Sequence, residues 1–247
     1  MELAGKVALI TGGGTGLGRE VSLRLAEEGM KIVVSYSRSK EEAEQTANDI
    51  RKLGMEAIAL QADLRRTDEC SRLVEETLRA CGQIDLLIHN AATTRFVAFS
   101  DLDSIDEEAW DELSNLNTKA AFFLAKAAAA SLKKTQGQII TTSSVAGIAP
   151  LGSSLPYSVS KAALIHLTKC LAVALAPEVR VNSVAPGLLL TRWVAGFSKA
   201  QLEKSSQNAL LQKETEVSDA ASAFVMLAKN NSCTGQVIVI DSGLLLS

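Results

Sequence analysis

Short apolar runs of strand length alternate along this chain with longer amphipathic segments of helical length. The predicted strands are 6–10, 31–35, 56–60, 84–88, 138–142, 179–184 and 236–240. The predicted helices are 19–28, 40–53, 67–81, 106–134, 157–176 and 199–229, with breaks expected inside the last two. Continuous Val-, Ile- and Leu-rich strands separated by helices are typical of a parallel sheet covered on both faces. The pattern therefore predicts a doubly wound α/β fold of Rossmann type, with seven strands in a mostly parallel sheet.

The composition predicts one globular domain over residues 1–247. The chain is 47% hydrophobic and 21% charged, and no Pro-, Gly- or Ser-rich linker divides it. A net charge of -3 argues against a nucleic-acid surface. The N-terminus has no basic start followed by an apolar h-region, and Lys126 interrupts the longest low-charge stretch. We therefore expect a cytoplasmic protein without a membrane partner.

Cysteine and histidine usage indicates no metal site. The cysteines show no C-x-x-C spacing, so reduced, mostly buried thiols are expected at Cys70, Cys81, Cys170 and Cys233. The two histidines, His89 and His166, are too few and too far apart for an evident metal site. Both are expected to be structural.

A glycine-rich run, Thr-Gly-Gly-Gly-Thr-Gly-Leu-Gly at 11–18, lies between the first strand and the first helix. Backbone N–H groups at a helix N-terminus bind phosphate when no Cβ stands in the way, so the run predicts a pyrophosphate site. The G-x-G-x-x-G spacing does not fit here; the spacing that fits is Gly12, Gly16, Gly18. A turn that only connects a strand to a helix is the alternative.

Polar residues or glycines also follow the other predicted strands. They are at 35–38, Asp63, 89–92, 143–144 and 186–187. Ligands of doubly wound sheets bind outside the carboxyl ends of the strands, near the point where strand order reverses. This edge of the sheet is therefore where we expect the chemistry.

Tyr157 and Lys161 stand four residues apart at the start of a predicted helix, so they share one helix face. An unperturbed tyrosine titrates near pH 10, and a neighbouring positive charge stabilises its phenolate for general acid–base work. Alone, the pair equally fits a tyrosine packed under a solvated lysine.

Further motifs occur in a fixed order around this pair. They are the glycine spacing, Asn90-Ala91-Ala92, Asn117, Ser144 thirteen residues before Tyr157, and Pro186-Gly187 followed by Thr191. With them the chain resembles the short-chain dehydrogenase/reductase family from about residue 6 to residue 243. It is similar to single-domain members of roughly 250 residues, such as 3-oxoacyl-carrier-protein reductases and carbonyl reductases.

The resemblance implies a catalytic role for four residues. Tyr157 would donate a proton to a carbonyl oxygen or accept one from an alcohol, and Ser144 would place that oxygen. Lys161 would lower the pKa of the tyrosine and bind the nicotinamide ribose, and Asn117 would hold a water on the proton path. Ser143 would be a bystander. A turn cap at Ser144 and a turn residue at Asn117 are the alternatives.

The resemblance also implies the cofactor-binding residues. They are Gly12, Thr15, Gly16, Leu17, Gly18, Ser37, Arg38, Asp63, Leu64, Asn90, Ala91, Tyr157, Lys161, Pro186, Gly187 and Thr191. Asp63 would contact the adenine, or it would cap the helix near Thr67.

The second strand predicts NADP(H) as the cofactor. An acid about twenty positions after the glycines selects NAD, yet no Asp or Glu occurs from Gly29 to Lys40. A guanidinium and a hydroxyl bind a 2′-phosphate well, so Arg38 is expected to be its main ligand and Ser37 to assist. The alternative is that Arg38 and Lys40 are solvated charges at a helix start.

The substrate is expected between a lid segment at about 188–210 and the loop 148–156. The lid begins with apolar residues, which favours a hydrophobic ketone or alcohol, unless the segment packs on its own domain or on a partner subunit. A 3-oxoacyl thioester on carrier protein or CoA is the alternative substrate. Ala130 and Val173 replace the arginines that carrier-protein reductases usually have, although Lys133, Lys134 and Lys169 could substitute.

Two motifs depart from the family pattern: Asn90-Ala91-Ala92 replaces Asn-Ala-Gly, and Asp241-Ser242-Gly243 replaces Asp-Gly-Gly. The family's use of its long central helices implies a homo-oligomer, a tetramer or a dimer. Two other classes stay open: a dinucleotide-binding regulatory protein without turnover, and a lyase- or epimerase-like relative without net redox.

Overall fold

Seven strands form one sheet in the order β3-β2-β1-β4-β5-β6-β7. A computed structural model describes residues 2–195, 197 and 206–247. The strands are β1 (Val7–Thr11), β2 (Lys31–Tyr36), β3 (Ala57–Gln61), β4 (Leu86–His89), β5 (Gln138–Thr142), β6 (Arg180–Pro186) and β7 (Val237–Ile240). Each neighbouring pair is parallel, which confirms the predicted doubly wound fold.

The helices follow the predicted periodicity with two differences. They are α1 (Gly16–Glu27), α2 (Lys40–Lys52), α3 (Thr67–Cys81), α4 (Glu107–Ser114), α5 (Ala120–Thr135), α6 (Leu155–Leu175) and α7 (Val217–Lys229). The single helix predicted over 106–134 is divided by a π-helical turn, Asn115–Lys119. The break predicted inside 199–229 is confirmed: residues 206–208 are helical, 209–216 are not, and α7 begins at Val217, while residues 199–205 lie outside the described part.

The break expected inside 157–176 was wrong, because α6 runs unbroken for 21 residues. Its start is well defined: the hydroxyl of Ser154 accepts a hydrogen bond from the backbone N–H of Tyr157, and Pro156 lies in the first turn. No glycine or proline follows within the helix to interrupt it.

Side chains of the central strands alternate between two apolar layers. In β1, Ala8 and Ile10 belong to the layer formed with α1, α2 and α7, whereas Val7 and Leu9 belong to the layer formed with α3, α5 and α6. This is the two-residue periodicity of a strand that is buried on both faces.

The sheet reverses its strand order between β1 and β4. From β1 the chain first builds outward through β2 and β3, and β4 then returns to the other side of β1. A crevice therefore opens above the carboxyl ends of these two neighbouring strands, where the glycine-rich run and residues 90–92 are located.

Among the described residues, α6 is the one helix that is long and apolar enough to cross a membrane, judged by length and composition alone. The core helix of a doubly wound domain has the same properties. α6 packs against β6, and its side chains Leu164 and Lys161 are both buried.

Candidate active site

A cleft of about 820 Å³ runs along the carboxyl edge of the sheet. Its walls are formed by the glycine-rich run, by the segments that follow β2, β3, β4, β5 and β6, and by the start of α6. Of the residues predicted to catalyse or to bind the cofactor, all except Asn117 line this cleft.

The glycine-rich run brings α1 against the sheet at a distance that only glycine permits. Gly16 has φ +51°, and a Cβ on Gly18 would lie 2.2 Å from the carbonyl oxygen of Gly12. The first N–H groups of a helix have no intrahelical partner, and those of α1 lie at the cleft wall. A cradle that a Cβ would fill, with free N–H groups beside it, fits the pyrophosphate of a dinucleotide.

Hydrogen bonds join the ends of β1 and β4 beneath this cradle. The Thr11 hydroxyl accepts from the backbone N–H groups of Asn90 and Ala91, each at 3.0 Å. The Asn90 side-chain amide in turn donates to the carbonyl oxygens of Thr11 and Gly12, at 3.2 and 3.3 Å. Asn90 therefore fixes the start of the glycine-rich run in addition to lining the cleft.

Tyr157, Lys161 and Ser144 come together at the middle of the cleft. The Lys161 side chain is buried, donates to the carbonyl oxygen of Thr142 at 2.8 Å, and places Nζ 5.7 Å from the centre of the Tyr157 ring. Ser144 lies beside the Tyr157 hydroxyl, close enough to lower its pKa, and the Ser144 hydroxyl accepts from the backbone N–H of Ala146 at 3.1 Å. Ser144 therefore caps a turn, as the alternative predicted, and faces the tyrosine as well.

Burial decides the protonation of this pair. It raises the pKa of Tyr157 to about 12, an increase that the Ser144 hydrogen bond partly opposes. It also lowers the pKa of Lys161 to about 7. Burial is the main influence on the pKa of Tyr157, and the expected lowering by Lys161 stays a prediction. Tyr157 is thus a neutral phenol at neutral pH, the form that can donate a proton.

Asn117 lies behind the cleft wall and is fully buried. Its side-chain oxygen accepts from the backbone N–H of Thr93 at 2.9 Å, while its amide donates to the Thr93 carbonyl oxygen and to the Ser160 hydroxyl at 3.1 and 3.0 Å. The side chain therefore joins the segment after β4 to α6. The expected role of Asn117 in holding a water on the proton path stays a prediction.

His89, the last residue of β4, is a further buried polar side chain. Neither ring nitrogen has a hydrogen-bond partner among the described residues. Burial, with a smaller contribution from the Lys161 charge, lowers the pKa of His89 to about 3. His89 is therefore neutral at physiological pH, and it adds no charge beside Lys161.

The adenosine end of the cleft is polar and cationic. Ser37 and Arg38 follow β2 and are exposed at the cleft wall. The Asp63 carboxylate is held by Arg65 through two bonds, at 2.8 and 2.7 Å, and this guanidinium lowers the pKa of Asp63. Asp63 does not cap α3, since residue Arg66 occupies the N-cap position; its bond partners are the side chain and backbone N–H of Arg65.

The opposite end of the cleft is apolar. The Trp193 ring lies 5.9 Å from that of Tyr157, and Phe96 meets Phe197 edge to face at 5.2 Å. Leu151 and the described part of the predicted lid complete this wall. Residues 196 and 198–205 of the predicted lid lie outside the described part of the chain.

No motif or spacing in the sequence marks several of the residues that line the cleft. They are Ser39, Arg65, Phe96, Glu112, Arg192 and Leu244. Phe96 and Arg192 belong to irregular segments with no motif, and their places depend on loops that meet across the cleft.

The two departures from the family pattern have different structural meanings. Ala92 lines the cleft and is not among the described residues with positive φ, so its methyl group strains no backbone. Ser242 has φ +56°, a conformation that glycine adopts more easily. The Ser242 hydroxyl compensates in part by donating to the Glu214 carbonyl oxygen at 3.3 Å.

The cysteines are free thiols, but only Cys70 is buried; Cys81 and Cys233 are partly exposed and Cys170 is exposed. The expectation of mostly buried thiols was therefore wrong: Cys81 and Cys233 pack at the margin of the two apolar layers, and Cys170 lies on an exposed face of α6. In the described ranges, no cluster of three or more His, Cys, Asp or Glu side chains forms a metal site.

Comparison with known proteins decides the family. The family model described as short chain dehydrogenase matches residues 6–202. The chain belongs to the short-chain dehydrogenase family. A protein named as ketoacyl reductase 2 of the granaticin polyketide synthase of Streptomyces violaceoruber is 36% identical over 96% of this chain and 95% of its own length.

Two further relatives agree. The 3-oxoacyl-[acyl-carrier-protein] reductase FabG of Staphylococcus aureus is 33% identical over 97% of this chain and 98% of its own. The structure of a short chain dehydrogenase from Burkholderia cenocepacia in complex with NADP has a TM-score of 0.92 and 31% identity, and covers 99% of this chain and 100% of the other. This member of the short-chain dehydrogenase family is thus an oxidoreductase that interconverts a carbonyl and an alcohol with a nicotinamide dinucleotide.

Proposed function

We propose that this short-chain dehydrogenase reduces the ketone group of an apolar substrate with NADPH, or oxidises the corresponding alcohol in reverse. The observation that carries the proposal is the position of Tyr157. Its neutral phenol lies where the polar, cationic half of the cleft meets the apolar half, with Ser144 and Lys161 beside it.

The proton chemistry follows from these three side chains. The Tyr157 phenol donates a proton to the substrate oxygen, and Ser144 donates a hydrogen bond that places the same oxygen. The Lys161 ammonium lines the cleft and would bind the ribose hydroxyls of the cofactor, and it stabilises the phenolate that remains after proton transfer. The cofactor, when bound, supplies the hydride; the glycine-rich cradle would hold its pyrophosphate.

The preference for NADPH rests on the segment after β2. Arg38 and Ser37 line the cleft, and within the described residues Arg38 forms no ion pair, so its guanidinium is available. No acid lies between Gly29 and Lys40 to repel a phosphate. The Burkholderia cenocepacia relative, whose structure contains NADP, is consistent with this preference.

Arg38→Gln is expected to lower kcat/KM for NADPH by about 10- to 30-fold and to leave that for NADH within about twofold. The reason is that a charge-assisted bond to a phosphate dianion contributes far more than a neutral one. Steady-state kinetics with both cofactors measures the effect. Lys40→Gln is the matched control: Lys40 is exposed two residues away and does not line the cleft, so neither cofactor should be affected. Wild-type enzyme that uses NADH as well as NADPH would refute the assignment.

A 3-oxoacyl thioester is the second candidate substrate. Two of the relatives are named as ketoacyl or 3-oxoacyl reductases, which favours it. An acidic carrier protein would need basic partners. Lys133, Lys134 and Lys169 are exposed and offer positive charge. Val173, which is 82% exposed, stands where carrier-protein reductases usually have an arginine. The kcat/KM of a carrier-bound thioester relative to the free CoA thioester distinguishes these substrates.

The exposed apolar side chains of the central helices support a homo-oligomer, a tetramer or a dimer. Phe122 on α5 and Val159 and Val173 on α6 expose between 42% and 82% of their surface. Burying such a face against a second copy removes apolar area from water. A single catalytic domain with a cytoplasmic location, without nucleic-acid or membrane partners, stays a prediction.

A further inference from the structure

Arg192 reaches across the mouth of the cleft. It begins the short turn Arg192–Val194 that follows β6, yet its Nη1 donates to the Ser39 hydroxyl on the opposite wall at 2.9 Å. The same nitrogen lies 3.6 Å from a carboxylate oxygen of Glu42. Ser39 directly follows Arg38, so this bond brings the Arg192 side chain to the segment that carries Arg38, and both arginines line the cleft.

The backbone that carries Arg192 is anchored on the glycine-rich run. The preceding residue, Thr191, packs so closely on Gly16 that a Cβ there would lie 3.3 Å from it. The Thr191 hydroxyl also accepts from the backbone N–H of Trp193, at 3.3 Å. The reach of Arg192 toward Ser39 therefore starts from a fixed point beside the proposed pyrophosphate site.

The present partners of Arg192 are weak enough to exchange. The side chains of Arg192 and Glu42 are 59% and 53% exposed, and exposed ion pairs contribute little. The Ser39 hydroxyl is not used to cap α2, so it can remain bonded to the guanidinium or turn to a ligand. A phosphate dianion offers a doubly charged acceptor with fork geometry that suits arginine.

We propose that Arg192 is a second arginine ligand of the 2′-phosphate of NADP(H), and that it leaves Glu42 for this phosphate. The inference rests on the proposed preference for NADPH. Arg38 binds the phosphate from the wall after β2, and Arg192 binds it from the wall after β6. The 2′-phosphate of NADPH then connects the two walls. NADH lacks this phosphate and cannot make the connection.

The test compares ligands that differ only in the 2′-phosphate. Dissociation constants of NADPH, NADH, 2′,5′-ADP and 5′-AMP are measured for the wild type, Arg192→Gln, Arg192→Lys and Arg38→Gln. Arg192→Gln should raise the dissociation constants of NADPH and 2′,5′-ADP about tenfold and change those of NADH and 5′-AMP by less than about twofold. Arg192→Lys should retain part of the affinity. Arg66→Gln, which removes an exposed guanidinium outside the cleft, is the control and should change nothing.

Three results would contradict the inference or its basis, and they are distinguishable. Equal weakening of NADPH and NADH in Arg192→Gln would show that Arg192 acts on the pyrophosphate or on the lid. Weaker NADPH binding in Arg38→Gln but not in Arg192→Gln would refute this inference and would leave the proposed preference for NADPH standing. Wild-type enzyme that binds 2′,5′-ADP no better than 5′-AMP would refute the NADPH preference itself.

The exchange with Glu42 has its own test in a double-mutant cycle. Glu42→Gln frees Arg192 and should tighten NADPH binding about two- to threefold in the wild-type background, with no change for NADH. In the Arg192→Gln background the same substitution should have a smaller effect. An equal effect in both backgrounds would show that Glu42 acts on the phosphate without Arg192, and would refute the exchange.

Discussion

Tyr157→Phe is expected to lower kcat by about a thousandfold and to leave the Kd for NADPH within about twofold. The substitution removes the hydroxyl that donates the proton, while the ring that lies 5.9 Å from Trp193 is retained. Stopped-flow or steady-state assays of NADPH oxidation give kcat, and fluorescence titration gives the Kd.

The thermal unfolding midpoint separates loss of chemistry from loss of fold in this variant. The Ser144 hydroxyl keeps its bond from the backbone N–H of Ala146 at 3.1 Å, so the turn after β5 has no reason to rearrange. A folded Tyr157→Phe enzyme that retains more than a tenth of the wild-type kcat would contradict the assignment of Tyr157 as the proton donor.

Lys161→Met is expected to lower kcat/KM for reduction by at least about a hundredfold and to remove a pH dependence that the wild type shows. Because burial sets the pKa of Lys161 to about 7, the ammonium is present below this pH and is lost above it. Wild-type kcat/KM should therefore be level at lower pH and fall as the pH rises through about 7. A pH profile of both enzymes, with matched ionic strength, checks this.

Lys161→Arg is the matched variant for the pH profile, because arginine stays charged. It should keep part of the activity and move the decline to higher pH. A decline near pH 7 that persists in Lys161→Met would assign the titration to another group and contradict the role of Lys161.

The stability of the same variants gives an independent check with a definite sign. The pKa of Lys161 is about 7 in the folded chain and near 10.5 when unperturbed, so between these values the unfolded chain binds more protons. The free energy of unfolding should rise with pH across this window, and Lys161→Met should remove that rise. An inactive Lys161→Met enzyme should therefore be no less stable at pH 7 than the wild type.

The sequence predicted the sheet well because each central strand is a short apolar run bounded by polar or glycine residues. It predicted α4 and α5 as one helix because 106–134 contains no glycine or proline, and a π-helical turn has no signature of its own in this stretch. The break expected in α6 is absent. The helix has a well-defined start at Ser154 and Pro156, and it then continues without interruption.

The site was predictable where it depends on strand ends and motif spacing. Gly18, Ser144 and Tyr157 are placed by regular elements, so their meeting follows from the fold. The raised pKa of Tyr157 was not predictable, because it depends on how deeply the fold buries the phenol. Arg192 was not predictable either, because its position depends on an irregular segment that crosses the cleft.

The fate of the hydride is the sharpest test of the proposed reductase activity. NADPH that carries deuterium at both hydrogen positions of nicotinamide C4 is incubated with a panel of apolar ketones and 3-oxoacyl thioesters, and the products are analysed by mass spectrometry. We expect one alcohol for each NADPH consumed, with deuterium on the new carbinol carbon. Binding of NADPH without consumption by any substrate would indicate a regulatory protein. Product formation without net NADPH loss would indicate a lyase or epimerase, and either result would contradict the proposed reductase.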